Sequence, residues 1–468
     1  MTDSHELIVE NTTFDEIVEG QSFSLSRTLS QDDIQAFAAV SLDTNPAHLD
    51  PEYASHTPLH EVVGHGMWTA SLLSTILGTR FPGPGTIYLG QSLKFMRPVH
   101  LNDTVTATVR VSSKREDKKI VVLACQVVNQ KGAVVLEGEA TVLAPLEKMK
   151  KPIIHAPRFQ IFEPEARLKV LLDRAAGQEP VRCGVVHPCD EGSLRGAIEA
   201  AEMGFIVPTL IGPEGKMRAL AEQVGLDLSP FVIVDTAHSH ESAERAAQMA
   251  AAGEFEGLMK GSLHTDELMH EVVSTKALRT GRRLSHVFRF DVPLYNKPIL
   301  ITDAALNIRP TLLEKRDIVQ NAIDLALMLG RECPKVAILS AVETLTPDIP
   351  STIDAAALCK MADRGQIRGG VLDGPLAFDN AVSLEAVHIK GISSPVAGDA
   401  EILVVPDLES GNMLSKQLEY LAGALGCGVV LGARVPIALT SRADGPASRR
   451  ASALLVKLIA HHFRSNRP

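Results

Sequence analysis

Residues 43–50, DTNPAHLD, place an aspartate and a histidine five positions apart around an Asn-Pro step. Pro46 has a fixed φ and no amide hydrogen, and it keeps Asn45 out of the helical region. Asp43 and His48 therefore flank a turn rather than share a helix face, and a turn can aim both at one small target. The chemistry that suits them is acid–base work on a water molecule. Adding that water to a double bond conjugated with a thioester also needs a donor for the enolate-like oxygen. GHGM (64–67) supplies a candidate, because Gly66 opens an apolar helix whose first N–H groups are free and whose dipole is positive there. One such donor removes roughly 3 kcal/mol of barrier. The plainer alternative is that Asp43 and Asp50 cap local turns and His48 is an ordinary loop histidine.

A second set of polar residues lies further along, where apolar runs end and helical patterns begin. VPIALTSRADGPASRRASALL (435–455) passes through Ser441, Arg442 and Asp444, and LMKGSLHTDELMHEV (258–272) through Lys260, Ser262, His264 and Thr265. Hydroxyls, backbone N–H groups and a cation at a helix mouth make a phosphate site. The planar, always-charged Arg442 is the better clamp for a tetrahedral anion. The plain alternative is N-capping by Ser and Thr. Asp303 and Asn307, in TDAALN, are read either as lining the same cleft or as structural caps. GCGVVLG (426–432) lacks the spacing of a dinucleotide loop and precedes a strand, which weighs against a nicotinamide-dependent enzyme. No residue grouping has the spacing of a metal site, so neither a metal nor a permanently bound cofactor is expected.

The elements that must carry these residues follow two rhythms. Up to about residue 145 the pattern is period two, as in VTATVRV (105–111), with NQKG (129–132) as a hairpin turn. One greasy helix candidate, GMWTASLLSTILG (66–78), interrupts it, which implies an α+β arrangement with a curved sheet around a helix. Residues 146–158, rich in lysine and proline, read as a linker. From 159 to 468 short apolar runs alternate with helical segments, the mark of a mostly parallel α/β sheet. That stretch is large for one sheet, so two lobes are expected, about 159–290 plus 432–468 and 291–431.

With 468 residues, 45% apolar content and a net charge of −10, the chain has the composition of a soluble globular protein. Such a charge disfavours nucleic acid or an anionic membrane as partner. Its six cysteines form no CxxC pair, the N-terminal MTDSHELIVEN lacks a signal-peptide layout, and no apolar run spans a bilayer; a cytoplasmic location is expected.

SLDTNPAHLD, GHGMWTASLLS and IYLGQSLKFMRPVHLNDTV resemble, in order and spacing, the (R)-specific enoyl-CoA hydratases of the MaoC-like hotdog group. The resemblance implies Asp43 and His48 as the catalytic pair, the Gly66 N–H as the thioester oxygen donor, and Ser74 as the residue that orients Asp43. The family's usual glycine before the aspartate is Leu42 here. Members work as dimers of single hotdogs, so a homodimer or larger homo-oligomer is expected.

LMKGSLHT, ITDAALNIRPT, PSTIDAAALCKMADRGQI, SPVAGDAEILVVPDLESGN and LTSRAD resemble the phosphate acetyl/butyryltransferases, from about residue 160 to 465. That family has an isocitrate-dehydrogenase-like fold of two α/β lobes and exchanges coenzyme A and phosphate on an acyl group. The resemblance places Ser441 and Arg442 at the reacting centre. The acetyltransferases carry a base aspartate seven residues after the serine; Ser448 stands there in this chain, and Asp444, as in the butyryltransferase-like SRAD pattern, is the substitute. Many relatives have an arginine where this chain has His270, which leaves Lys260, Arg442 or a charged His270 to grip an anion, or an exposed helix histidine with no such role. The expected protein is bifunctional, acting on coenzyme A thioesters and phosphate as substrates. Its rivals are one active module beside a dimerising or sensing one, and transferase-like lobes acting as a dehydrogenase.

Overall fold

In a computed structural model the chain is described over residues 8–152, 166–440 and 444–468, and it divides into two compact units, Met1–Phe162 and Glu163–Pro468.

In the first unit a short strand β1 (Ile8–Glu10) is followed by β2 (Ser22–Thr28), α1 (Gln31–Ser41), α2 (Pro46–Leu49), α3 (Pro51–Ser55) and α4 (Gly66–Thr79). Then come β3 (Ile87–Phe95), β4 (Thr104–Arg115), β5 (Ile120–Asn129), β6 (Val134–Leu143) and β7 (Lys150–Pro152). The five longer strands form one antiparallel sheet in the order β2-β4-β5-β6-β3. Its inward residues Val105, Ala107, Val109, Leu123, Val127 and Leu136 close on Leu73, Ile76 and Leu77 of α4, all buried. This is the curved sheet around a greasy helix that the sequence implies. Gly78 lies inside the helix rather than ending it; Arg80 is the C-cap. The expected linker also begins as structure. Residues 150–152 pair with 8–10, and the Asn11 side chain donates to the carbonyls of Pro84 and Glu147 while accepting from Met149 N–H. The remainder of the linker, 153–158, lies outside the described residues.

The second unit is built on an 11-stranded sheet. Its strands are β8 (Val181–Val186), β9 (Ile206–Gly212), β10 (Val232–Asp235), β11 (Gly257–Lys260), β12 (Ser285–Asp291), β13 (Ile299–Thr302), β14 (Lys335–Leu339), β15 (Val371–Leu376), β16 (Ile402–Val404), β17 (Leu425–Leu431) and β18 (Ile437–Ala438). The order is β10-β9-β8-β11-β18-β17-β12-β13-β16-β14-β15. Parallel pairing dominates, but the three central ladders, β18 with β17, β17 with β12 and β12 with β13, are antiparallel. The strands of the two expected lobes therefore run in opposite directions within one sheet. The helix Pro446–Ser465 covers the centre, and all ten residues from Ala451 to Ala460 are buried. Its buried run includes Lys457, whose Nζ donates to Gly204 O.

Candidate active sites

In the first unit the Asn-Pro step does what its chemistry requires. Asn45 is the N-cap of α2 and its side chain accepts from Ala47 N–H, with Pro46 in the first helical turn. Asp43 stays outside this single turn and His48 lies within it. Asp50 is indeed a cap, accepting from Glu52 and Tyr53 N–H at the start of α3. The Asp43 carboxylate also accepts from Asn45 N–H, at 3.3 Å, so the capping and catalytic readings share one geometry. Leu42, in the position usually held by glycine, ends α1 with φ 61° and ψ 16°. The backbone thus keeps the left-handed conformation a glycine would provide, at a cost of about 1–2 kcal/mol for a residue with a Cβ.

His48 Nδ1 lies 2.7 Å from Val63 O, and His65 Nε2 lies 3.0 Å from Asp43 O. A carbonyl only accepts, so each contacting nitrogen carries its hydrogen, and neutral His48 keeps its lone pair on Nε2. One side-chain atom from each of Asp43, His48 and His65 lies within 4.8 Å of the others, a grouping that would suit a divalent cation. The two imidazoles lie tilted by 33° to each other with centroids 3.9 Å apart. His65, which sequence reasoning missed, immediately precedes Gly66; HGM drew attention only to the glycine. Gly66 is the first residue of α4, where N–H groups have no intrahelical acceptor. A Cβ there would come within 3.0 Å of the Phe95 ring, so glycine is what leaves room above this N–H. Ser74 sits on an exposed face of α4, about 12 Å further along its axis at 1.5 Å per residue. No hydrogen bond joins it to Asp43 among the described residues, so within one chain Ser74 does not orient the aspartate as expected.

In the second unit the KGSLHT segment follows β11. Gly261 N–H donates to Val186 O, and a Cβ at Gly261 would collide with the carbonyls of Val186 and His187 at 2.5 Å; the glycine allows this backbone contact. Lys260 is buried and donates through Nζ to the carbonyls of Gly261 and Leu263, bonds that shape the loop. Ser262 donates from Oγ to His187 O and accepts from Cys189 N–H. His264 and His270 are exposed, and Thr265 is half-buried at the start of its helix. His187 itself, half-buried with φ 55°, was not foreseen: its Nδ1 lies 3.1 Å from Ser242 Oγ. Burial, and then the nearby Lys216 charge, hold its imidazole below the ordinary value.

Asp303 and Asn307 do not line that cleft, contrary to the first of their two sequence readings. One row of the sheet runs Met259–Ala438–Val429–Val287–Thr302. From that row the chain leaves toward Lys260 and Thr440 at one end of the strands, but toward Asp303 at the other. The central antiparallel strands cause this, because the rule that ligand sites lie at carboxyl ends gives one common edge only when all strands are parallel. Asp303 and Asn307 are each 3% exposed. Asp303 accepts from the N–H groups of Ala305, Leu306 and His286, and Asn307 donates to it. Burial pushes the Asp303 carboxyl up, against the pull of these donors. Asn307 also accepts from Arg283 Nε and donates to Leu284 O. These bonds tie the loop to itself and to β12.

Ser441 and Arg442 lie outside the described residues. Asp444 is half-buried, and its carbonyl accepts from Arg449 Nε at 3.3 Å. Arg449 Nη1 also donates to Thr440 Oγ1 at 3.2 Å, so one buried guanidinium touches residues on both sides of positions 441–443. Gly192 and Gly196 make the space for it, since a Cβ at either would press on its side chain. Sequence reasoning passed over Arg449, since nothing local tells it apart from the less buried Arg450 beside it.

The family model described as "Phosphate acetyl/butaryl transferase" matches residues 241–449. A phosphate acetyltransferase of Rhizobium meliloti is 60% identical over 296 residues, which are 63% of this chain and 94% of that protein. The chain belongs to the phosphate acetyl/butyryltransferase family. A MaoC-like domain matches residues 13–132, so the fusion expected from sequence is present. Among solved structures, a branched-chain phosphotransacylase from Enterococcus faecalis V583 is 30% identical with a TM-score of 0.53, covering 60% of this chain and 99% of that one. An R-hydratase from Pseudomonas aeruginosa is 41% identical with a TM-score of 0.33, covering 33% of this chain and 100% of its own. Among the described residues no helix is long and apolar enough to cross a membrane, and all six cysteines are free.

Proposed function

We propose that this transferase also hydrates short-chain 2-enoyl-CoA thioesters to (R)-3-hydroxyacyl-CoA in its MaoC-like unit. The observation that carries the reading is the His48 Nδ1 contact with Val63 O, which leaves Nε2 as a base beside the Asp43 carboxylate. Water held between the two loses a proton as its oxygen bonds to C3 of the enoyl group. The thioester oxygen takes up the negative charge against the Gly66 N–H, and C2 then receives a proton. Oxygen and hydrogen both arrive from the face turned toward Asp43 and His48, so the addition is syn.

In the second unit phosphate oxygen attacks the acyl carbonyl, the C–S bond breaks, and the CoA thiolate leaves and takes a proton; acyl phosphate and CoA result. Ser441 and Arg442 hold the reacting groups and Asp444 moves the proton. The 60% identity to a relative named as an acetyltransferase makes acetyl-CoA the first substrate to assay, ahead of the butyryl preference that the SRAD pattern favours. No dehydrogenase role is needed.

The hotdog is expected to pair with a second copy. Among the described residues β3 ends the sheet with an open edge, and Ile87, Leu89 and Phe95 on it are each half or more exposed. Such an edge is a template for pairing. Sedimentation of the full chain as a monomer would remove this part of the reading.

The deciding experiment is an acyl-CoA panel on the full chain with and without phosphate, for the wild type, Asp43→Asn and Ser441→Ala. Asp43→Asn should abolish crotonyl-CoA hydration and spare acyl phosphate formation, and Ser441→Ala should do the reverse. Hydration that survives in Asp43→Asn, or an (S) product, refutes the first half. Unchanged acyl phosphate formation by Ser441→Ala refutes the second.

A further inference from the structure

His65 occupies the N-cap of α4 yet makes no side-chain cap bond. Serine, asparagine or aspartate there would cap and stabilise the helix. Instead the imidazole reaches across the chain to the carbonyl of Asp43, 22 residues away. It is 2% exposed and stands between His48, at 3.9 Å between centroids, and Phe37, at 5.1 Å. Its Nδ1 is buried and no protein group partners it among the described residues. A buried bare nitrogen is destabilising. Fold stability alone does not favour this residue here.

The contacts form a reciprocal pair. His48, on the turn, donates to Val63 on the strap that enters α4, and His65, on the strap, donates back to Asp43 on the turn. The strap is held from the other side by Gly64 N–H on Val99 O. The peptide unit that follows the His65 α-carbon is the one bearing the Gly66 N–H. Its carbonyl is fixed in turn by Trp68 N–H at 3.0 Å. One residue therefore sets both the position of the aspartate and the orientation of the oxyanion donor.

We infer that His65 is a positioning residue of the hydratase site: as the Nε2–H tautomer it holds Asp43 at a fixed distance from the Gly66 N–H, and so aligns the water with the thioester carbonyl. This rests on the hydratase reading of the first unit. The side chain touches neither water nor substrate in this role. Its effect lies in alignment, where an error of about 1 Å can lower a rate by about 10²-fold.

The test compares His65→Leu and His65→Gln in the full chain, with acyl phosphate formation by the other unit as an internal control. Glutamine can place an amide N–H near the position of Nε2, and leucine cannot. For His65→Leu, kcat for crotonyl-CoA should fall about 10- to 100-fold with KM changed by less than about 3-fold. His65→Gln should keep kcat within about 5-fold of wild type, and both variants should keep the control rate. Nitrogen-15 spectra of histidine-labelled wild type should show His65 as the Nε2–H tautomer. Unchanged kcat in His65→Leu, equal losses in both variants, or an Nδ1–H or charged His65 would overturn the proposal. Loss of hydration on chelation with recovery on adding Zn²⁺ would overturn it too, by making His65 a metal ligand. If wild type fails to hydrate any enoyl-CoA while the tautomer is as stated, the functional reading fails instead.

Discussion

Replacing Gly66 by alanine separates the fold of the hotdog from its chemistry. The added Cβ would stand 3.0 Å from Cε1 of Phe95 and 3.3 Å from its Cδ1 and Cζ. Carbon atoms settle at about 3.5–4.0 Å, so the ring must retreat by about half an ångström. Within one chain Phe95 is 50% exposed, and so small a retreat keeps the steric cost below about 1 kcal/mol. Alanine also favours helix over glycine by up to about 1 kcal/mol, so the melting temperature of the unit should hardly move. The chemistry should suffer far more. A methyl group beside the Gly66 N–H keeps the thioester oxygen at a distance, and losing one such donor costs roughly 3 kcal/mol, or about 10²-fold in rate. The donor acts on charge that develops in the transition state, so the loss belongs mainly in kcat. Crotonyl-CoA hydration, followed by loss of the ultraviolet absorbance of the conjugated thioester, measures it, and the double variant Gly66→Ala/Phe95→Ala tests the cause. If the crowded ring alone mattered, removing it would restore the rate; an oxyanion donor blocked by the methyl group requires that it does not. Gly66→Ala with wild-type kcat would refute the oxyanion role.

Three further outcomes follow from the same physics. Leu42→Gly should leave hydration unchanged and alter stability by no more than about 1 kcal/mol, in the stabilising direction, because relief of the left-handed strain outweighs the added entropy of the unfolded chain; chemical denaturation reads it. His286 is fully buried with both ring nitrogens unpartnered, and burial holds its pKa down to about 3. A base with a depressed folded value costs stability as pH falls below its unfolded value of about 6.5, by about 2 kcal/mol at pH 5. His286→Met should therefore lose about 2 kcal/mol less than wild type between pH 7 and pH 5, and parallel pH profiles would contradict this. Arg449→Lys cannot span Thr440 and Asp444 as the guanidinium does. Acyl phosphate formation should fall about 10-fold or more while hydration on the same chain is untouched, measured by hydroxamate trapping.

Much of the first site was legible because its signals are local. Pro46 constrains its own backbone and that of Asn45, Gly66 marks a helix start, and NQKG sets a hairpin through Asn129, whose side chain accepts from Lys131 and Ala133 N–H. Two alternating rhythms separated the units before any contact was known, since the spacing of apolar residues follows from which faces are covered. The partner of His65 was hidden, because an imidazole can serve as cap, ligand or tether and only the folded chain brings Asp43 O to it. The same holds for Arg449, whose seat depends on two glycines of a helix some 250 residues earlier in the sequence.

By itself, then, the sequence determined what each segment can do: which turns, helix starts and strands form, and which side chains carry acid–base or anion chemistry. Only the tertiary structure decided which of them meet. Strand direction is the plainest case. TDAALN and KGSLHT both follow apolar strands and look alike in one dimension, but the antiparallel ladders at the centre of the sheet send them to opposite ends. Pairing direction is a non-local choice, made by hydrogen bonds and packing between distant strands, and no local propensity encodes it.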